Sequence, residues 1–199
     1  ETNGAVSAIS GHLFETKPHS SGPLSPLAEV RIVGPGGQAM PVGERGEIWV
    51  RGVTVMQRYW GQPEATTQAL QDGWFRTGDV GYLDADGFLF VVDRIKDVIN
   101  RSGEKIAAAE VESCLSELPD VDEAAVIAMP DAVTGEAVVA VVVPKPGAKL
   151  TSEQVQAHVA ARLASYKVPS RVVIRDDRLP RNPAGKALKG ELKTQYSAY

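Results

Sequence analysis

The segment from residue 77 to residue 105 holds the densest group of side chains that could do chemistry, and it reads TGDVGYLDADGFLFVVDRIKDVINRSGEK. Within it, Asp79 follows a glycine in a turn, and glycine allows a ligand to approach the backbone closely. An ionised carboxylate has two acceptor oxygens, enough to hold both hydroxyl groups of a vicinal diol such as ribose. The turn therefore predicts a sugar-hydroxyl site at Asp79. The alternative is that this carboxylate only caps the turn.

A β-hairpin is predicted directly after this aspartate. Two apolar segments, 81–83 and 88–92, flank the sequence D-A-D-G at 84–87, and a D-G pair is a strong hairpin signal. The second strand would end at Arg94. A hairpin of this length could place that arginine across from Asp79.

A second candidate is Lys186, at the end of the loop P-R-N-P-A-G-K. A lysine ammonium is a compact charge on a long stem that can reach a phosphate, and Gly185 leaves room for a close approach. Lys189 and Lys193 follow at helical spacing, so the residues alone are equally compatible with a solvated lysine in a lysine-rich tail.

Composition indicates a soluble, globular chain. Its 199 residues, 43% of them hydrophobic, suffice for one core or two small ones, and no apolar run approaches a membrane span or a signal segment. The formal charge of −4 argues against a nucleic-acid partner. The single cysteine, Cys114, lies on the apolar side of a helical pattern, which favours a packing role over a reactive thiol. A single cysteine cannot form an internal disulfide, and this favours the reducing cytoplasm as the location.

The order of elements predicts an α+β fold. Two alternating segments with glycine turns, 28–33 and 46–52, indicate a small closed antiparallel sheet, Pro63 opens a short helix, and Trp60 and Trp74 are expected in the core. After the hairpin, the segment 100–103 is predicted to be a loop. The remaining pattern predicts a compact α+β domain with helices and strands at 107–118, 123–129, 137–143, 151–166, 171–174 and 187–195, the fourth opened by a capping box at Thr151.

Three separated motifs carry a resemblance to a known family: TGDVGYLDADGFLFVVDR, the A-A-E-V-E helix start after a glycine loop, and PRNPAGKALKGEL. In this order they resemble the adenylate-forming superfamily, which includes acyl-CoA synthetases, firefly luciferase and the adenylation domains of peptide synthetases. The resemblance covers nearly the whole chain. It implies that residues 1–95 are the β-rich end of a large adenylating domain, a distorted antiparallel β-barrel, and that residues 96–199 are a mobile C-terminal α+β domain.

The resemblance implies roles for four of these residues. Lys186 matches the lysine that acts in adenylate formation, and Asp79 and Arg94 match the residues that hold the nucleotide ribose. Lys96 matches the hinge about which the C-terminal domain swings before a thiol attacks the acyl-adenylate.

The resemblance also implies a thiol site and a metal ligand. After the swing, the loop of Ser102 and Gly103 would line the pantetheine tunnel, with Lys105 beside it as a CoA-binding residue, although Gly103 is also compatible with an ordinary turn. The sequence E-K at 104–105 departs slightly from the G-E-N that is common among the family's fatty-acid ligases, and Arg58 stands where glycine is usual in the family. Glu1 resembles the glutamate that helps to hold Mg²⁺, and a plain surface glutamate is the alternative.

Three functions remain open at this point. The first is a carboxylic acid:CoA ligase for a fatty or aryl acid, with fatty acid metabolism preferred and with ATP, Mg²⁺ and CoA as cofactors. The second is an adenylation domain that loads a carrier protein, and the third is a non-catalytic nucleotide-binding module. The family's phosphate loop and most of its acid pocket precede the region matched here. We therefore expect that the partner of this chain is the missing N-terminal part of the same enzyme. The chain alone is expected to be inactive. A homo-oligomer is compatible with the sequence.

Overall fold

The structure is a computed structural model in which residues 1–197 are described. The chain forms two compact units, Glu1–Lys96 and Asp97–Tyr199. Among the described residues, none of the helices combines the length and the apolar character that a membrane crossing requires.

The first unit is built on one antiparallel sheet. Its helices are α1 (His12–Thr16) and α2 (Pro63–Ala69), and its strands are β1 (Gly22–Pro23), β2 (Ala28–Val33), β3 (Gly46–Gly52), β4 (Leu70–Gln71), β5 (Trp74–Leu83) and β6 (Phe88–Arg94). The strand order is β1–β6–β5–β3–β2, and β4 pairs with β5. Alternate residues of these strands point to one face, and the buried members of that face, Ile32, Ile48, Val50 and Leu89, form its core.

The α+β class and the antiparallel sheet are confirmed, but the expected closure into a barrel is not found within residues 1–197. A barrel requires its first and last strands to pair. Here β1 and β2 lie at opposite ends of the strand order. The strand β1 is only two residues long and pairs with β6, so the described sheet is open.

The predicted hairpin is confirmed as β5 and β6. The side chain of Asp84 closes its turn, because Oδ1 accepts hydrogen bonds from the backbone N–H groups of Asp86 at 3.0 Å and Phe88 at 2.9 Å.

Of the two tryptophans predicted to lie in the core, one does and one does not. Trp74 is buried as predicted, whereas Trp60 is 86% exposed, so its assignment to the core is wrong; it lies in a turn before α2 rather than on a strand.

Within residues 97–197, the second unit is a mixed sheet with three α-helices. The strands are β7 (Ile99–Arg101), β8 (Glu104–Ile106), β9 (Val121–Asp131), β10 (Gly135–Pro144) and β11 (Arg171–Ile174), and the helices are α3 (Ala108–Ser116), α4 (Ser152–Ala160) and α5 (Lys189–Tyr196). The strand β10 is central: it pairs with β9 over almost its whole length, with β11 in parallel, and with β7 through Gly135.

The valine-rich strand β10 is buried on both faces, as its near-continuous apolar sequence predicted. Because successive side chains of a strand alternate in direction, Val138, Ala140 and Val142 pack in one cluster with residues of α3 and α4. The other face carries Val139, Val141 and Val143, which pack in a second cluster with residues of α5. The helices thus cover both faces of the sheet.

Two local predictions for this unit are confirmed, and the predicted extent of α4 is wrong. Thr151 and Gln154 form the predicted capping box at the start of α4. Cys114 is buried in the core, where burial raises the pKa of its thiol. Tyr166 does not lie on α4, because that helix ends at Ala160 and a separate 3-10 turn, Ser165–Lys167, carries the tyrosine half-exposed.

Candidate functional site

Thr77, Gly78 and Asp79 lie within β5, where its register with β3 shifts, and not in the predicted turn. Hydrogen bonds hold this segment to the neighbouring strand. The hydroxyl of Thr77 donates to the carbonyl of Ile48 at 2.8 Å and accepts from the backbone N–H of Asp79 at 3.0 Å. Gly78 has a φ of 71°, in the left-handed region that glycine adopts without steric cost. The backbone around Asp79 is therefore fixed before any ligand arrives.

Glu47 also supports this segment of β5, and the sequence did not indicate it. Its Oε1 accepts from the backbone N–H of Gly78 at 3.3 Å, and its Oε2 accepts from the indole of Trp49 at 2.8 Å and from Arg76 at 3.1 Å. The side chain is only 12% exposed. The signal that could have found it is the antiparallel pairing of β3 with β5, which aligns Glu47 with Val80.

Asp79 and Arg94 lie directly opposite each other in the register of the hairpin. The guanidinium Nε of Arg94 donates to Oδ1 of Asp79 at 3.2 Å, and the two side chains are 47% and 32% exposed. The structure therefore brings together the two residues that the sequence placed in a ribose site, and the carboxylate remains accessible to a ligand.

Glu1 lies in a separate contact of the first unit. Its Oε1 accepts a hydrogen bond from the hydroxyl of Tyr59 at 2.9 Å. Burial raises the pKa of Tyr59, and the bond to Glu1 raises it further. Within residues 1–197 no group of three or more metal-binding side chains occurs. Mg²⁺ is commonly held by one or two carboxylates together with substrate phosphates, so the single carboxylate of Glu1 fits such a site.

Lys96 lies in a 3-10 turn, Ile95–Asp97, directly after β6. The first compact unit ends at this residue. Hinges are a few residues at element ends that absorb a change in backbone angles, and this position has that character. The hinge role itself stays a prediction.

Ser102 and Gly103 form a two-residue turn between β7 and β8 rather than the predicted loop. Their φ angles are 53° and 94°, the double positive pattern of a type I′ hairpin turn. The flanking residues Arg101 and Glu104 pair directly, and Lys105 is exposed on β8 opposite Asn100. The three-residue strands were missed because their sequence is mostly polar. The turn presents Ser102, Gly103 and Lys105 at the surface of the second unit.

Lys186 is exposed on a loop at residues 182–187 that is closed by hydrogen bonds. The backbone N–H of Asn182 donates to the carbonyl of Lys186 at 2.9 Å, and the N–H of Lys186 donates to Oδ1 of Asn182 at 2.9 Å. The last helix begins at Lys189 instead of residue 187 because Leu188 bonds back to the carbonyl of Pro180 at 2.8 Å. Among residues 1–197, no hydrogen bond or ion pair engages the ammonium of Lys186.

The class of protein follows from two family matches. The AMP-binding enzyme family matches residues 1–60, and the AMP-binding enzyme C-terminal domain matches residues 110–186. These matches together cover more than half of the chain, in the order that the resemblance implied. The chain belongs to the adenylate-forming superfamily and corresponds to a C-terminal portion of its members.

Individual relatives are acyl- and aryl-CoA ligases. The chain is 45% identical over 199 residues to a feruloyl-CoA synthase of an Amycolatopsis species, an alignment that covers 97% of this chain and 40% of that protein. It is 40% identical to the long-chain-fatty-acid–CoA ligase FadD13 of Mycobacterium tuberculosis, covering 92% of this chain and 36% of that protein.

A solved structure is similar in three dimensions. The o-succinylbenzoate CoA synthetase MenE of Bacillus subtilis, in complex with the acyl-adenylate intermediate OSB-AMP, superposes with a TM-score of 0.89 at 37% identity, covering 96% of this chain and 38% of that one. The chain thus spans about two fifths of the length of the relatives it matches.

Proposed function

We propose that this chain is part of an ATP-dependent carboxylic acid:CoA ligase, which forms an acyl-adenylate and then an acyl-CoA thioester. The observation that carries the proposal is the presentation of Lys186. Its ammonium is exposed on a loop fixed by backbone hydrogen bonds, in a chain that belongs to the adenylate-forming superfamily. A positive charge that extends from a fixed loop and has no protein partner among the described residues is suited to bind a phosphate.

In the first half-reaction, a carboxylate oxygen of the acid attacks the α-phosphorus of ATP, and the bond from that phosphorus to pyrophosphate breaks. Negative charge builds up at the phosphorus, and the Lys186 ammonium stabilises it. Asp79 accepts hydrogen bonds from the ribose hydroxyls and Arg94 donates one. Glu1 would hold Mg²⁺ together with the phosphates, and this ion would neutralise charge on the pyrophosphate.

In the second half-reaction, the thiol of CoA attacks the carbonyl carbon of the acyl-adenylate, and AMP leaves. We assign the hinge of the preceding domain rotation to Lys96. Ser102, Gly103 and Lys105 would then lie beside the pantetheine arm, where the exposed ammonium of Lys105 can bind a CoA phosphate. The two half-reactions use different residues of this chain, and this makes their roles separable.

CoA is favoured over a carrier protein as the acceptor because the relatives reported above are named as CoA ligases. Their names include both aryl and fatty acids, so both classes are candidate substrates. A cytosolic location, predicted from the single buried cysteine, is part of the same proposal.

The test is an assay of the full-length enzyme with separate half-reactions. Acid-dependent exchange of pyrophosphate into ATP measures adenylation, with ferulate-like aryl acids and long-chain fatty acids compared side by side. Thioester formation is then measured with CoA and with a pantetheinylated carrier protein. Exchange with at least one acid and transfer to CoA are expected. Transfer only to the carrier protein would favour the loading function, and absence of exchange with every acid would refute adenylate formation.

A further inference from the structure

Glu123 is a nearly buried carboxylate that holds two arginines. It lies on β9, its side chain is 9% exposed, and its Oε2 accepts from Nη2 of Arg181 at 2.6 Å and from Nε of the same arginine at 3.2 Å. Arg178 lies against the other oxygen, with Nε 3.5 Å from Oε1. A buried carboxylate orients a guanidinium strongly because the hydrogen bonds are charge-assisted.

Arg181 extends this contact to the residue directly before Lys186. Its Nη1 donates to the carbonyl of Gly185 at 2.6 Å. The arginine therefore links a strand of the sheet to the loop that carries the lysine. The link spans 58 positions of sequence between Glu123 and Arg181.

The peptide unit between Gly185 and Lys186 is held at both of its polar atoms. Arg181 binds its oxygen, and Oδ1 of Asn182 accepts from its N–H at 2.9 Å. Because the peptide group is planar, fixing both atoms fixes the direction in which the Lys186 backbone continues. Gly185 has a φ of 82° and no side chain that could contribute packing, so this orientation depends on external contacts.

We propose that Arg181, oriented by Glu123, is a positioning residue for Lys186 in adenylate formation. The inference rests on the proposed function of Lys186. A catalytic ammonium on a long flexible side chain needs a backbone that is held in a defined position, because misplacing a reacting group by about 1 Å can cost about a hundred-fold in rate. Arg181 holds the backbone before Lys186 in that position and does not itself contact the substrate.

The test compares Arg181→Gln, Lys186→Ala and the double variant in the full-length enzyme. Arg181→Gln is expected to lower kcat of acid-dependent pyrophosphate exchange roughly ten- to a hundred-fold, with KM for ATP nearly unchanged. Conversion of supplied acyl-adenylate and CoA should keep the wild-type rate. In the Lys186→Ala background the arginine change should have no further effect, because a positioning residue acts only through the group it positions.

Arg178→Gln is the matched control. Arg178 contacts the same carboxylate and Asp122, is 83% exposed, and among the described residues reaches carboxylates rather than the loop. Its replacement should leave both half-reactions unchanged. Glu123→Gln is the second variant: it keeps an acceptor but removes the charge, so a smaller loss than that of Arg181→Gln is expected.

The outcomes distinguish this inference from the proposed function. Wild-type exchange by Arg181→Gln, in an enzyme that Lys186→Ala inactivates, overturns the positioning role alone. A further loss in the double variant, or slow thioester formation by Arg181→Gln, would show that the arginine supports the fold generally and would also overturn it. Wild-type exchange by Lys186→Ala would instead refute the proposed function.

Discussion

Replacing Asp79 by alanine should separate a binding role from a structural one. The contact of Asp79 with Arg94 is 3.2 Å long and both side chains are partly exposed, 32% and 47%. Exposed ion pairs contribute about 0–1 kcal/mol to stability, so the free energy of unfolding should fall by no more than about 1 kcal/mol.

The expected loss in adenylation is larger. Hydrogen bonds to a charged acceptor contribute about 1.5–3 kcal/mol, and the upper end of this range corresponds to roughly a hundred-fold at about 1.4 kcal/mol per decade. Acid-dependent pyrophosphate exchange by the full-length enzyme, measured over a range of ATP concentrations, should therefore show about a hundred-fold lower kcat/KM for ATP. Urea unfolding of the same variant measures the stability term.

The pair Glu29 and Arg51 provides the control. These residues are also cross-strand partners in the first unit, on β2 and β3, with a 2.5 Å contact between Nη2 and Oε2. A hydrogen bond from Arg51 lowers the pKa of Glu29, as expected for an exposed structural pair. Glu29→Ala should leave exchange unchanged. An unchanged rate of Asp79→Ala at low ATP would remove Asp79 from the ribose site, and a large loss of stability would show that the substitution had disrupted the β5 backbone.

Three further predictions concern the hinge, the acid sensitivity and the core. Lys96→Pro fixes φ at the junction, so in the full-length enzyme adenylation should survive while thioester formation falls; parallel loss of both would refute the hinge. The pKa of Asp131 is lowered by hydrogen bonds from Thr134 and Val133, so its stabilisation is present above the unfolded-state pKa and lost as pH falls through the folded-state value. In urea unfolding from pH 7 to pH 3, the free energy of unfolding of Asp131→Ala should thus fall less steeply with decreasing pH than that of the wild type, and an equally steep fall would contradict this. Leu192→Ala empties a fully buried site between α5 and the sheet and should cost about 2–5 kcal/mol in the same assay, whereas a loss below about 1 kcal/mol would contradict the packing.

The sequence predicted those elements whose signals lie within a few neighbouring residues. The valine run of β10 indicated a strand buried on both faces, and the capping box at Thr151 indicated the start of α4, because each signal lies within a few residues. The strands β7 and β8 were missed because three-residue strands with mostly polar sequences show no clear alternation. Trp60 was misassigned because hydrophobicity alone does not reveal that its position is a surface turn.

The same limit applies to the site. Asp79 and Arg94 could be paired from the sequence because one hairpin sets their register. Glu47 could not be found in this way, since it reaches Gly78 only through the pairing of two strands that are separated by more than twenty residues. Glu123 and Arg181 are farther apart still, and only the packed second unit shows that they support the lysine loop.

The most direct test of the proposed function is the rate of both half-reactions in one Lys186→Ala variant of the full-length enzyme. Removing a preorganised charge-stabilising group costs about a hundred- to a thousand-fold, so adenylation should fall by at least about a hundred-fold. Conversion of chemically supplied acyl-adenylate and CoA to the thioester should stay near the wild-type rate, because Lys186 acts on the phosphate only in the first step. Equally slow processing of the supplied adenylate would contradict the assignment of Lys186 to adenylation alone, and wild-type adenylation would refute its catalytic role.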